Sequence, residues 1–188
     1  MEDQVEKLKF KLVVLGDASV GKTSLIHSFV EGFFRESYLA TIGVAFLTKT
    51  IDTKLKDGKD ANVVLQIWDI GGQSIFQSIR TNYIKGAQGA FILFDVTNRN
   101  SLIHTDDWVS ELTKALNIKD LSRIPIIVIG NKIDLDFDQR LKQRAMEYLR
   151  KQFSFEIPIT YTSAKTREGM NEAFKLITNL MIKTVLEE

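Results

Sequence analysis

The chain has 188 residues, 44% hydrophobic and 26% charged, with a formal net charge of +1. That length fits one domain, residues 1–188, able to bury a sizeable core, and the charge balance points to no nucleic-acid or membrane-surface partner. There is no cysteine, which excludes disulfides, thiolate metal sites, a cysteine nucleophile and prenylation or palmitoylation; with no signal peptide, no myristoylation signal at Glu2 and no apolar run near ~20 residues, a cytoplasmic protein without its own lipid anchor is expected.

Residues 9–15 read as a buried strand that runs into GDASVGKT, Gly16 to Thr23, and then into an apolar-periodic helix over 21–31. The pattern G-x-x-x-x-G-K-[ST] between a strand and a helix is a phosphate-binding loop. Gly16 and Gly21 allow backbone angles that side chains forbid. The N–H groups of Asp17, Ala18, Ser19 and Val20 can then form a nest for an anion, backed by the positive end of the helix. Lys22 supplies a charge for the outer phosphates, and the Thr23 hydroxyl, next to Ser24, suits a magnesium ion.

Residues 32–40 read as a polar and aromatic loop. Here Phe34 either stacks on a base or packs under the loop. Thr41 could complete magnesium coordination when a third phosphate is present. Strand-like runs over 44–55 and 62–68 flank the turn signal KDGKD, which makes them a hairpin. The glycine loop 70–73 follows. Asp69 could hold magnesium through water, Gly72 could offer its N–H to a terminal phosphate, and Gln73 could orient an attacking water. A helix is expected over 75–84 and a buried strand over 89–94, ending at Asp95. One helix is expected over 101–117, where Leu102, Trp108, Leu112 and Leu116 recur at helical spacing.

Pro125 opens a near-continuous buried strand over 126–129. It leads into Asn131-Lys132-Ile133-Asp134. A buried carboxylate at Asp134 would accept two hydrogen bonds from guanine, which adenine cannot supply. Lys132 could lie across the base while Asn131 ties loops together. A charged helix over 137–153, a last strand over 157–161 and a closing helix over 171–185 follow. Between these last two, Ser163-Ala164-Lys165 places the Ala164 N–H where it could meet the guanine carbonyl. His27 and His104 read as surface or packing residues, and the basic helix as a solvated face. Strands alternating with helices after one hairpin predict a three-layer α/β fold. Its sheet is six-stranded and mostly parallel, with one antiparallel edge strand, helices on both faces, and ligands at the carboxyl ends of the strands.

Together GDASVGKT, ATIGVAF, LQIWDIGGQ, NYIKGAQGAFILFDVTN, NKID and TSAK resemble the Ras superfamily of small GTPases, and within it the Rab family, over nearly the whole chain. The resemblance implies a slow GTP-hydrolysing switch that acts in vesicle trafficking or related signalling. It implies Lys22, Gly72 and Gln73 in catalysis, and Thr23, Thr41 and Asp69 on Mg2+. It also implies Tyr38 closing over the phosphates, Phe34 against the base, and Asn131, Lys132, Asp134, Ser163, Ala164 and Lys165 around guanine. Effector, exchange and activating proteins are expected at residues 34–46 and 69–84 of a monomer, an activating protein supplying the arginine that the loop motifs lack. Departures from the pattern are Ala18 and Ser19, where Ras proteins have glycines, with Ala40, Gly71 and Ser74. Ala18, with the missing lipid site, leaves a rival expectation, a nucleotide-locked scaffold with little turnover.

Overall fold

The structure is a computed structural model; it describes residues 5–35, 41, 43–73, 77–153 and 156–186. Six strands form one sheet: β1 Glu6–Gly16, β2 Val44–Lys54, β3 Asp60–Ile70, β4 Gly89–Asp95, β5 Ile126–Asn131 and β6 Ile159–Thr162. Their order is β2-β3-β1-β4-β5-β6. Among the described residues only the β2–β3 pair is antiparallel. The hairpin turn closes as its sequence predicts, with the Leu55 and Gly58 N–H groups donating to Lys59 and Leu55 carbonyls at 2.9 Å.

The alternation of β1 explains the layers, because successive side chains on a strand point to opposite faces. Leu12 and Val14 join the core under α1 Lys22–Glu31 and α6 Met170–Leu186, which includes Phe29, Leu65, Phe91, Phe174 and Ile177. Val13 and Leu15 join the opposite core with Ile92, Phe94, Trp108, Leu112, Ala145 and Leu149. That second face is covered by α2 Gln77–Ile84, α3 Arg99–Ile103, α4 Thr105–Leu116 and α5 Arg140–Gln152. β4 and β5, buried at every position, account for the unbroken apolar runs.

Some expected boundaries move. The helix expected over 101–117 is two, broken at His104, which caps the end of α3 and the start of α4. Asn98 starts α3 by accepting the Asn100 N–H, so the first helix begins two residues earlier than its apolar pattern suggests. α5 begins at Arg140 rather than 137, and β6 spans 159–162 rather than 157–161. These are the termini, where local pattern is weakest. Because β1, β3, β4, β5 and β6 run parallel, their carboxyl ends lie along one edge. That edge carries the loops after Gly16, Ile70, Asp95, Asn131 and Thr162.

Candidate functional site

The loop after β1 enters α1 through Gly21, whose φ of 97° is left-handed. A Cβ at Gly21 would also collide with the Asn131 amide. Lys22 is 6% exposed and arches back over its own loop, donating from Nζ to the Gly16 and Asp17 carbonyls at 2.7 Å each. Two of the three ammonium donors are used in this way. Burial pushes the Lys22 ammonium down to about 8, against the opposing pull of Asp69 and Asp17, with Arg80 lowering it further. Ala18 and Ser19 are exposed at the tip, and Val20 is buried in the α1–α6 core with its carbonyl accepting from Asn131.

Three oxygen-bearing side chains meet beside Lys22. Thr23 Oγ1 lies 2.5 Å from both Asp69 Oδ2 and Thr41 Oγ1, and Thr41 Oγ1 is 3.2 Å from the same carboxylate oxygen. Asp69 is fully buried, and its Oδ1 has no hydrogen-bond partner among the described residues. A buried carboxylate oxygen left in that condition is costly unless a cation or donor completes it. Three hard oxygens and one orphaned lone-pair site fit a small divalent cation of the magnesium type, which prefers oxygen donors and keeps part of its shell for phosphate and water.

The loop after β3 presses against the phosphate loop. A Cβ on Gly72 would lie 2.5 Å from the Asp17 carbonyl carbon and the Gly16 oxygen, so only glycine permits this approach. Upstream, the Gly71 N–H donates to the Gly43 carbonyl at 2.9 Å. A cavity of about 50 Å³ remains between Ala18, Ser19, Gly21, Lys22, Thr23, Thr41, Gly71, Gly72 and Gln73. The larger groove, about 1280 Å³ between the β2–β3 hairpin and α6, is at the opposite end of β1 and contains none of these groups.

The loops after β5 and β6 are joined by Asn131, which is 1% exposed. Its Nδ2 donates to the Val20 carbonyl at 3.0 Å, and its Oδ1 accepts from Thr162 Oγ1 at 3.0 Å and the Ala164 N–H at 3.3 Å. The Ala164 N–H, expected to face a base, is therefore turned to Asn131. Ser163 Oγ donates to Asp134 Oδ1 at 2.5 Å and accepts the Thr166 N–H at 3.0 Å. Asp134 itself is exposed, not buried as the sequence suggested. It follows β5 in a turn at the rim, where any discrimination requires the ligand to bury it. Lys132, with a left-handed φ of 73°, pairs with Asp95 Oδ2 at 2.6 Å. Lys165 is exposed. Phe34 is half-buried against the α1–α6 core, which favours packing over an outward-facing ring. Ser24 is half-buried on the first turn of α1. Tyr38, Ala40 and Ser74 lie outside the described residues.

Sequence reasoning missed a group on the far side of the phosphate loop. His104 Nδ1 lies 2.6 Å from Asp17 Oδ2, and Trp108 Nε1 donates to Asp17 Oδ1 at 2.8 Å. His104 is thus not a spectator, and the Asp17 bond raises its pKa against a smaller burial effect. Arg80, 4% exposed, is held by Glu111 at 2.6 and 2.8 Å and donates to the Gln73 carbonyl at 3.1 Å. The spacing His104, Trp108, Glu111 is helical and visible in the sequence, but Trp108 reads there as an apolar core residue and His104 as a surface or packing residue, and nothing local marks Glu111.

Comparison with known proteins accords with this geometry. A family profile described as the Ras family matches residues 11–183. The chain is 39% identical to the Ypt/Rab-type GTPase avaA of Emericella nidulans over 174 residues, covering 92% of this chain and 82% of that protein. It is 38% identical to the Ras-related protein Rab7 of Drosophila melanogaster, covering 92% and 80%, and 37% identical to the Ypt/Rab-type GTPase Rab7 of Neurospora crassa, covering 97% and 87%. A six-stranded sheet with a single antiparallel edge, a strand–phosphate-loop–helix at its centre and relatives of this similarity lead to one conclusion: the chain belongs to the Ras family, as a Rab-like GTP-binding switch that hydrolyses GTP.

Proposed function

We propose that the whole chain, residues 1–188, works as one switch domain in which Gly16 to Ser24 hold the phosphates and Asn131, Lys132, Asp134, Ser163 and Lys165 surround guanine, the Ala164 N–H being taken by Asn131. The observation that carries this reading is the meeting of Thr23, Thr41 and Asp69 beside Lys22, with the buried Asp69 Oδ1 unpartnered. These residues would hold a magnesium ion, which when bound supplies charge neutralisation for the phosphate oxygens. Lys22 keeps its third donor for the phosphates while its other two brace the loop. Thr41 and the Gly72 N–H, one before β2 and one after β3, sense a third phosphate, so its loss on hydrolysis removes both contacts. Gln73 orients the attacking water, and catalysis is chiefly positioning and charge stabilisation.

Asp134 reads the base. Its Oδ1 is already paired with Ser163, which fixes the carboxylate plane for the guanine N1–H and exocyclic amine. Phe34 supports the base edge from its packed position.

Partner proteins dock on the surface that these loops shape. Phe46 is 48% exposed and meets Trp68 edge-on at 5.1 Å, and Trp68 leans on Tyr83 at 6.0 Å. Lys11 Nζ lies 4.3 Å over Trp68 and donates to the Lys85 carbonyl at 2.7 Å. This aromatic strip joins β2, β3 and α2, with Trp68 bridging Phe46 of residues 34–46 and Tyr83 of residues 69–84. Effectors, exchange factors and an activating protein are its expected occupants, in vesicle trafficking or related signalling. No helix among the described residues is long and apolar enough to cross a membrane. We place the protein in the cytoplasm as a monomer.

The test is the nucleotide carried by purified protein, together with competition between GTP and ATP. The expected result is GDP as the main species and at least ~10-fold weakening of GTP binding in Asp134→Ala, since a charge-assisted bond of ~1.5–3 kcal/mol is lost. Adenine nucleotide on the protein would overturn the base assignment. Mostly intact GTP would replace the hydrolysing switch with a locked scaffold.

A further inference from the structure

One face of α4 grips two loops of the candidate site at once. His104 at its cap, Trp108 and Glu111 follow at i, i+4 and i+7, the spacing that aligns side chains on a helix. His104 and Trp108 hold both oxygens of Asp17 in the phosphate loop. Glu111 holds the Arg80 guanidinium through Nε and Nη2, in a fork 31 residues apart in sequence. The guanidinium also lies 4.6 Å above the Trp108 ring. Its remaining arm, Nη1, reaches the Gln73 carbonyl at 3.1 Å.

Arg80 differs from the other arginines among the described residues, which are all exposed. It is buried, and a buried cation persists only when its partner and its hydrogen bonds are both in place. Glu111 and Trp108 provide that environment, and the free arm is spent on the main chain of the one residue proposed to orient water. Gln73 is thereby fixed from both sides. Upstream, Gly72 is wedged against the phosphate-loop backbone and the Gly71 N–H is tied to Gly43. Downstream, Arg80 fixes the Gln73 carbonyl, which limits rotation of the peptide that aims its side chain. In phosphoryl transfer, where positioning carries most of the catalysis, an error of about 1 Å in such a group costs roughly 100-fold.

We propose that Glu111 and Arg80 are positioning residues for GTP hydrolysis: Glu111 holds Arg80, and Arg80 holds the Gln73 backbone, so that the α4 face sets the rate of the reaction. The proposal rests on the reading of Gln73 as the water-orienting residue. Neither Glu111 nor Arg80 touches the nucleotide in this scheme, so they affect the hydrolytic step and leave binding alone.

The experiment is single-turnover hydrolysis by the full chain loaded with GTP, in a double-mutant cycle with Gln73. Glu111→Gln is expected to slow hydrolysis about 10-fold while the GTP dissociation constant stays within about twofold. In a Gln73→Leu background the same substitution is expected to add less than about twofold, because the group it positions is already gone. Arg80→Lys keeps the charge and loses the fork. It is expected to repeat the result if Glu111→Gln reduces the yield of folded protein. Equal slowing in both backgrounds, or an unchanged rate in the otherwise native chain, would overturn the proposal. If Gln73→Leu alone left the rate unchanged, the assignment of Gln73 would fall and the proposal with it. A slow Gln73→Leu beside an indifferent Glu111→Gln overturns the positioning role only.

Discussion

Lys22 shows what a single residue contributes before any ligand arrives. Its ammonium is buried under its own loop, and burial lowers its pKa to about 8. The charged form is the one that binds phosphate, so a bound anion must raise that pKa, and nucleotide affinity falls as pH rises through 8. Between pH 7 and 8.5 the protonated fraction of the free protein drops roughly fourfold, and GTP affinity should follow it. Titrations at the two pH values check this, with Lys22→Arg expected to remove that component. Gln73 makes the complementary prediction for chemistry. Gln73→Leu should slow hydrolysis at least ~10-fold in single-turnover assays with GTP affinity within about twofold, as for loss of a transition-state interaction. Most site residues were legible at this scale because glycine spacing and strand-end position encode backbone geometry locally. The exposure of Asp134 was not, because its residue type is compatible with a buried or a rim position.

At the scale of elements, the break between α3 and α4 puts His104 where it can face the phosphate loop. A single helix through 101–117 would have satisfied the apolar pattern equally well. The His104–Asp17 bond raises the histidine pKa in the folded protein. Its stabilisation is therefore complete below the unfolded value near 6.5 and is lost as pH rises through the higher folded value. His104 is half exposed, so solvent screening holds the effect to under about 1 kcal/mol. Urea unfolding of the wild type and His104→Gln, at fixed nucleotide, should show a difference near pH 6 that disappears by pH 9. A difference that grew toward alkaline pH would exclude the pair as its source. The basic helix α5 behaves as its sequence suggested. Leu141, Ala145 and Leu149 face the core, and Arg140 and Arg144 pair with Asp138 at the surface.

For the molecule as a whole, stability and site depend on the same sheet. Phe174 of α6 is fully buried, stacked on Phe29 of α1 at 3.6 Å and edge-on to Phe91 of β4 at 5.0 Å. It thus locks the phosphate-loop helix to the sheet from behind. Phe174→Ala should cost about 3–5 kcal/mol in urea unfolding, and GTP binding should weaken with it because α1 loses its support. The sequence by itself determined the layers, the phosphate loop and the family, since apolar period, glycine positions and strand-end motifs act over a few residues of backbone. It could not determine that Asn131 would take the Ala164 N–H, or that Arg80 would leave solvent for Glu111. Many charged and polar residues in this chain were compatible with either a solvated or a paired state. The packing of α4 against α2 decided for Arg80, and the meeting of the loops after β5 and β6 for Asn131, because the cost of burying a charged or polar group is settled by the groups that the fold brings beside it.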